Sequence, residues 1–162
     1  MTAVRPAQAG EGGSLSALCV RSKAHWGYDA TFMAQSARSL TVGEGDIADG
    51  RVLVAVDAAG MPTGVACVVP EGVVADLDML FVDPPAIGLG AGRLLFDAAV
   101  ALARRLGAHR MTILADPNAA SFYERMGARF VCDAPSDAIP GRVLPFYEYD
   151  LSNQDRPNQD RT

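Results

Sequence analysis

The sequence has little of what would indicate a metal centre, a nucleic-acid-binding surface or a membrane segment. Its three cysteines, Cys19, Cys67 and Cys132, lie far apart and form no CxxC pair, so neither a zinc site nor a disulfide framework is indicated. Acidic residues outnumber basic ones by 19 to 14, and a net charge of -5 does not suit a protein that binds a phosphate backbone. No apolar run approaches the roughly 18 residues of a membrane span, and no signal peptide is indicated. We therefore expect a cytoplasmic protein with no metal, no nucleic-acid partner and no membrane partner.

The composition that remains is that of one folded domain. The chain has 162 residues, of which 49% are hydrophobic and 20% charged, and this length allows one core and little more. We place a single domain at residues 1–151. Residues 152–162 repeat Asn-Gln-Asp-Arg around Pro157 and contain no apolar residue, which predicts a disordered polar tail.

The first half of the chain predicts two helices followed by three antiparallel strands. Apolar positions at helical spacing indicate helices over 14–22 and 28–40. Two runs rich in β-branched residues, 51–57 and 64–69, flank turn residues and predict a hairpin. A third strand over 73–82 ends at Asp83-Pro84-Pro85, because proline lacks the backbone donor that a strand ladder needs.

The second half of the chain changes to helical periodicity. Apolar residues recur every three or four positions over 90–106, and Gly107 is suited to a C-terminal cap, so this helix is strongly indicated. Strands at 110–114, 129–132 and 144–151 and a helix at 119–126 follow. The element order predicts a mixed α+β fold in which strands 73–82 and 110–114 form a parallel pair.

A glycine-rich turn joins the third strand to the long helix. In Gly88-Leu89-Gly90-Ala91-Gly92-Arg93, backbone N–H groups lie unshielded at the positive end of a helix, where an anion is favoured. A purely structural turn and a solvated Arg93 are the alternatives. A P-loop is excluded because Gly92 is followed by Arg93-Leu94 rather than by Lys and a hydroxyl residue, and the preceding hairpin disfavours a dinucleotide-binding unit.

Three stretches together resemble motifs A and B of the GNAT acetyltransferases. They are Asp-Leu-Asp-Met-Leu-Phe-Val-Asp-Pro at 76–84, the glycine turn, and Asp-Pro-Asn-Ala-Ala-Ser-Phe-Tyr-Glu-Arg-Met-Gly-Ala at 116–128. Each motif alone is common, but both in this order and at this spacing are specific. The resemblance implies a mostly antiparallel sheet of six to seven strands, flanked by about four helices, in which the parallel pair splays apart.

The resemblance further implies that acetyl-CoA binds in the opening between the splayed strands. A pyrophosphate would use the glycine-turn amides, and pantetheine would pair with free backbone groups at Leu80 and Val82. Ile87 and Asp116 depart from the family pattern, which usually has Arg or Gln at the first position and Asn at the second. The residues expected to bind the cofactor are Leu80, Phe81, Val82, Ile87, Gly88, Leu89, Gly90, Ala91, Gly92, Arg93, Asp116, Asn118, Ala119 and Phe122.

Tyr123 and Asp76 are the candidate catalytic residues. Tyr123 falls where the family has its usual proton donor to the departing thiolate, although an ordinary core aromatic is the alternative. Asp76 is the first choice for the base, with Asp78 on the same strand face, a water, or no dedicated base as the alternatives. The oxyanion would meet the backbone N–H of Leu80.

The acceptor is expected to be a primary amine of a small molecule or peptide. The resemblance places its pocket beside the first two helices and the loop before the last strand. There, Trp26, Tyr28, Asp78 and Phe146 are the candidate lining residues. A non-catalytic module that senses acyl-CoA, a longer acyl donor and assembly into a homodimer remain open alternatives.

Overall fold

The computed structural model describes residues 2–152, and the predicted tail from residue 153 onward lies outside them. In this range seven strands form one sheet in the order β1-β2-β3-β4-β5-β7-β6. Every neighbouring pair is antiparallel except β4 and β5, which are parallel, so the predicted mixed fold is confirmed. The strands are β1 (Ala3–Pro6), β2 (Val52–Val56), β3 (Pro62–Glu71), β4 (Val74–Val82), β5 (Arg110–Leu114), β6 (Arg129–Pro135) and β7 (Val143–Asp150).

Helices cover both faces of the sheet. They are α1 (Gly12–Ala24), α2 (Ala30–Ser36), α3 (Glu44–Ala48), α4 (Ala91–Arg105) and α5 (Ala120–Arg125). The predicted long crossover helix is α4, which connects the parallel strands β4 and β5. None of the helices in residues 2–152 combines the length and the apolar character needed to cross a bilayer.

Two elements were not predicted, and one predicted helix is shorter than expected. Strand β1 has four residues and contains Pro6, so it shows no alternation of apolar and polar residues that would predict a strand. It forms by pairing with the open edge of β2. Helix α3 has five residues, too few to show a period. The helix expected over 28–40 begins only at Ala30, because the Asp29 side chain accepts the Phe32 N–H at 2.8 Å and caps the helix there.

The core lies in two layers, one on each face of the sheet. One layer packs α4 against the sheet and includes fully buried Leu95, Phe96 and Ala99. The other packs α1 against the opposite face through Leu15, Leu18 and Cys19. Each face of the sheet is therefore buried under a helix of its own.

Close approach of α4 to the sheet generates a stability prediction at Gly64 on β3. A Cβ at this position would lie 2.8 Å from Leu95 Cδ1 and 3.1 Å from the Phe81 carbonyl oxygen. We expect Gly64→Val to lower the free energy of unfolding by about 1–3 kcal/mol in urea titrations, since Leu95 is fully buried and has no room to move. Gly13→Ala, with open space around its Cβ on α1, should instead stabilise the protein slightly. A neutral Gly64→Val would contradict the tight packing.

Candidate active site

The site begins where β4 and β5 part. The two strands pair only from Val74 to Asp76 on β4 and from Arg110 to Thr112 on β5, after which β5 continues alongside β7 alone. A β-bulge lies at the point of divergence: Leu77 faces Val68 and Met79 faces Cys67, so Asp78 has no partner on β3. Because a bulge bends its strand, β4 turns away from β5 and leaves a wedge-shaped gap in the sheet.

Backbone groups of β4 point into this gap. The Asp83 N–H donates to the Thr63 carbonyl at 2.8 Å, so hydrogen-bonded positions toward β3 alternate back along the strand from residue 83. By the same alternation, the N–H and C=O groups of Leu80 and Val82 face away from β3, on the side that β5 has left. The gap therefore presents an unused strand edge, as the sequence predicted for these two residues.

The glycine turn lies at one end of the gap. Gly88 and Gly90 have φ angles of 84° and 93°, in the left-handed region, and Gly90 is the N-cap of α4. Within residues 2–152, no backbone hydrogen bond is made by the N–H groups of Gly88, Gly90, Ala91, Gly92 or Arg93. By contrast, the Ile87 and Leu89 N–H groups donate to the Pro84 and Ala86 carbonyls, both at 3.2 Å. Contrary to the expectation that both residues bind the cofactor, these two N–H groups are already used within the turn.

The glycine turn and the gap line one continuous hollow, here called the glycine-turn cleft, of about 510 Å³. Arg93 stands in the first turn of α4, exposed and without an ion pair in the described chain. Gly92 lets the Phe122 ring approach, since a Cβ there would lie 3.4 Å from it. The predicted residues that line the cleft are Leu80, Phe81, Val82, Ile87, Gly88, Gly90, Gly92, Arg93, Asp116, Asn118, Ala119 and Phe122.

A second hollow, here called the carboxylate cavity, lies beside the first and measures about 170 Å³. Asp76, Asp78, Asp137 and Tyr123 line it. The two hollows meet along five shared lining residues, namely Lys23, Leu80, Phe81, Asp116 and Ala119. A molecule in the cleft and a second one in the cavity can therefore meet at Leu80.

Two carboxyl groups of the carboxylate cavity, those of Asp76 and Asp78, have pKa values shifted toward the neutral form. Burial raises the pKa of Asp76, and the nearby Asp78 and Asp137 raise it further. The Thr112 hydroxyl, which donates to Asp76 Oδ1 at 2.8 Å, lowers this pKa but does not offset the effect of burial. Partial burial and repulsion from Asp46 and Asp137 also raise the pKa of Asp78.

Tyr123 is a buried phenol with an accessible hydroxyl. The residue is 6% exposed, and burial raises its pKa. The hydroxyl makes no hydrogen bond in the described chain, yet no side-chain polar atom there is both sealed from solvent and unbonded. Its oxygen is therefore reachable from the carboxylate cavity, so it has an open hydrogen bond to offer.

A closed hydrogen-bond network surrounds Asp116. Its Oδ2 accepts from Lys23 Nζ at 2.5 Å and from the Tyr28 hydroxyl at 2.9 Å. Its Oδ1 accepts both the backbone N–H and the side-chain amide of Asn118, at 2.8 and 2.9 Å. The Tyr28 oxygen in turn accepts from Arg142 Nη2 at 2.8 Å. Burial works to raise the pKa of Asp116, but the hydrogen bonds from Lys23 and Asn118 outweigh it, and the pKa is lowered.

This network changes three sequence-based expectations. All four lone pairs of Asp116 are occupied, so its side chain has no free acceptor for a pantetheine amide. The Tyr28 hydroxyl is hydrogen-bonded within the network, and the residue lines neither hollow. Trp26, expected beside the acceptor, lines the glycine-turn cleft instead.

Three further candidates line neither hollow. Leu89 and Ala91 lie within the glycine turn but outside the cleft wall. Phe146 lies too far along β7, where it faces Leu114, and Leu144, two residues earlier on the same strand face, lines the carboxylate cavity in its place.

Sequence reasoning missed Lys23, Ser36, Asp137 and Arg142, which line the carboxylate cavity. Lys23 lies in the segment expected to wall the acceptor pocket and is the only lysine of the sequence, a signal that could have singled it out. Asp137 and Arg142 belong to the loop before β7, where residue type alone gives no direction. No group of metal-ligating side chains able to hold an ion occurs in residues 2–152.

Comparison with known proteins gives one family and several similar structures. Residues 12–137 match the acetyltransferase (GNAT) domain model. A GCN5-related N-acetyltransferase from Rhodopseudomonas palustris is 25% identical, with a TM-score of 0.74 over 93% of this chain and 96% of that one. PaiA N-acetyltransferase from Thermoplasma acidophilum, solved with coenzyme A, is 14% identical, with a TM-score of 0.75 over 93% and 99% of the two chains. YncA from Salmonella typhimurium, solved with acetyl-CoA, is 22% identical, with a TM-score of 0.69 over 98% and 99%. No curated protein sequence matches.

The opposite pKa shifts of Asp76 and Asp116 predict opposite effects on stability. A carboxyl with a raised pKa costs stability when ionised, so Asp76→Asn should raise the melting temperature at neutral pH, and the gain should vanish as the pH falls through the titration of Asp76. A carboxyl with a lowered pKa stabilises the fold when ionised, so Asp116→Asn should cost about 1–3 kcal/mol at neutral pH and less in acid. Melting curves between pH 3 and 8 test both, and shifts of the same sign would contradict these environments.

Proposed function

Because this chain belongs to the GNAT acetyltransferases, we propose that it moves an acetyl group from acetyl-CoA directly to a primary amine of a small molecule or peptide. The proposal rests on one observation: the glycine-turn cleft and the carboxylate cavity meet at the edge of β4 whose backbone groups are not paired with another strand. The glycine-turn cleft offers free amides for a phosphorylated donor, and the carboxylate cavity offers acidic groups for an amine.

The donor would bind mainly through backbone. Five free N–H groups at the glycine turn and the positive end of α4 suit the pyrophosphate, and Arg93 adds a charge that opposes the helix dipole unless an anion is present. The amide-rich pantetheine arm would pair with Leu80 and Val82 as an added strand in the gap. Asp116 shapes the cleft without offering a hydrogen bond, since its oxygens are fully used.

The thioester would then lie at the border of the two hollows. There the Leu80 N–H, which faces the gap, stabilises the oxyanion that forms when the amine nitrogen attacks the acetyl carbon. Such a donor works best where water is excluded, and the gap is flanked by the buried layer that packs on Leu80 and Val82.

Asp76 and Tyr123 would divide the proton chemistry. Asp76, whose pKa is raised by burial, accepts the proton that the attacking amine releases. The C–S bond breaks as the intermediate collapses, and the sulfur leaves as a thiolate. Burial raises the pKa of Tyr123, so it stays a phenol and stabilises the thiolate by a hydrogen bond, while the thiolate takes its proton from solvent.

The activity is tested by following thiol release from acetyl-CoA with four probe amines. These are 1-aminobutane, 1,4-diaminobutane, 4-aminobutanoate and a short peptide with a free amino terminus. Amine-dependent thiol release, with the acetylated amine identified by mass spectrometry, is the expected result. CoA binding without thiol release for any amine would favour a non-catalytic acyl-CoA sensor.

If CoA binds at the glycine turn, a change of charge at Arg93 should weaken CoA binding without lowering the stability of the fold. Arg93→Glu places a negative charge against the pyrophosphate and should raise the Kd for CoA about tenfold or more in calorimetry. The ligand-free melting temperature should not fall, since Glu suits the first turn of a helix. Arg105→Glu, at the other end of α4, makes the same charge change far from the cleft and should leave the Kd unchanged while lowering stability. Equal CoA affinities of the two variants would count against this cleft.

The role of Tyr123 predicts a loss in turnover with little change in binding. Tyr123→Phe removes the hydroxyl and keeps the ring contacts with Phe96, Phe122 and Tyr147. We expect kcat to fall roughly 10–10³-fold, with the KM for acetyl-CoA nearly constant, because the hydrogen bond forms chiefly in the transition state. Undiminished turnover under conditions where chemistry limits the rate would leave Tyr123 a packing residue.

A further inference from the structure

We propose that the acceptor carries a second positive charge, as an aliphatic diamine or a longer polyamine does, and that Asp78, Asp137 and Ser36 bind the ammonium group that does not react. The inference rests on the proposed acetyl transfer and names the class of amine it acts on. It is argued from the charges of the carboxylate cavity, from the fate of the cations beside it and from one buried hydroxyl.

Three of the four carboxylates that line the cavity lack ion-pair partners in the described chain, the exception being Asp116. Asp76, Asp78 and Asp137 all line it, and none of them forms an ion pair within residues 2–152. Asp76 has the Thr112 hydroxyl as its partner, whereas Asp78 and Asp137 accept no hydrogen bond there. Asp78 and Asp137 are exposed side chains and Asp76 is half-buried, so the three carboxylates stay open to a ligand, and a cation bound among them would relieve their mutual repulsion.

The two cations of the cavity wall are already engaged. Lys23 and Arg142 both line the cavity, but Lys23 is bound to Asp116 at 2.5 Å and Arg142 donates to the Tyr28 hydroxyl at 2.8 Å. Both also lie over the stacked Tyr28 and Phe32 rings, with the Lys23 ammonium 5.3 Å from the Tyr28 centroid and the Arg142 guanidinium carbon 4.8 Å from that of Phe32. These two cations face four carboxylates in the cavity wall, so negative charge is in excess there and disfavours an acceptor that carries a carboxylate of its own.

Ser36 supplies an independent sign of a polar ligand. It is 2% exposed, lines the cavity, and its Oγ has no hydrogen-bond partner within the described chain. Since no side-chain polar atom of residues 2–152 is both fully sealed and unbonded, the small exposed area of Ser36 includes its hydroxyl. A nearly buried hydroxyl without a partner in a cavity wall is suited to accept from an ammonium group placed there.

The size of the cavity fits a short diamine. A cavity of about 150 Å³ is known to hold benzene, a molecule of six non-hydrogen atoms, and 1,4-diaminobutane has the same number. The carboxylate cavity measures about 170 Å³. With one nitrogen beside Asp76 and the Leu80 edge, the other nitrogen would reach the remaining carboxylates.

The experiment compares three amines that differ only in the far end of the same four-carbon chain. We expect kcat/KM for 1,4-diaminobutane to exceed the values for 1-aminobutane and 4-aminobutanoate by about tenfold or more, since only the diamine presents a second cation. Parallel calorimetry with CoA-saturated protein measures amine binding without turnover and should give the same order.

Variants locate the binding site of the second charge. The double variant Asp78→Asn, Asp137→Asn should bring the diamine down to the level of 1-aminobutane, leaving the Kd for CoA within about twofold. Asp133→Asn removes one negative charge on β6, outside both hollows, and should keep the full preference for the diamine, whereas Asp78→Asn alone, which also removes one, should reduce it.

The outcomes separate this inference from the proposed function. If the unmodified protein acetylates 1-aminobutane or 4-aminobutanoate as fast as 1,4-diaminobutane or faster, the proposal of a second positive charge on the acceptor is overturned, while the proposed acetyl transfer stands. A preference that survives in the double variant would overturn the assignment to Asp78 and Asp137. If no amine is acetylated, the transfer reaction fails, and the calorimetric order of the three amines alone supports or rejects the cation site.

Discussion

The early end of the backbone pairing between β4 and β5 is the constraint on which the rest of the site depends. After three residue pairs the ladder stops, and the bulge at Asp78 turns β4 away. A parallel sheet that continued would have consumed the Leu80 and Val82 groups in ordinary strand hydrogen bonds. Because it does not continue, those groups stay free, the two hollows exist, and Asp76 and Tyr123 lie beside the opening rather than under a closed sheet.

The carboxylates of the site have two different electrostatic environments, one that favours stability and one that favours chemistry. At Asp116 every lone pair is satisfied and the ionised carboxylate holds α1, the segment before α2 and the loop before β7 together. At Asp76, Asp78 and Asp137 the carboxylates lack ion-pair partners, and the pKa values of Asp76 and Asp78 are raised by loss of solvation and by repulsion from neighbouring carboxylates. We interpret the first group as the frame of the cavity and the second as its working surface, kept unsatisfied until a ligand arrives.

The Asp116 network also explains how one substitution in a motif alters more than one contact. An amide at this position could have turned toward a ligand in the cleft, whereas a carboxylate in a partly buried place needs a cation, which Lys23 provides. Lys23 then cannot serve an anionic acceptor. A single change from amide to acid in the motif thus bears on both hollows, through a residue distant in sequence.

The sequence by itself determined the local elements and the glycine turn. Helix α4 and strand β5 were predicted closely, because a 15-residue amphipathic period and a short apolar run bounded by Gly107 are local signals. Motif spacing likewise located Leu80, Tyr123 and the free amides of the turn. Only the tertiary structure decided that Trp26 lies in the glycine-turn cleft, that Leu144 rather than Phe146 lines the cavity, and that Lys23, Asp116 and Arg142 meet. Lys23 and Asp116 are 93 positions apart, and Tyr28 and Arg142 are 114 apart. A pairing over such a distance depends on how loops pack, which no local pattern encodes.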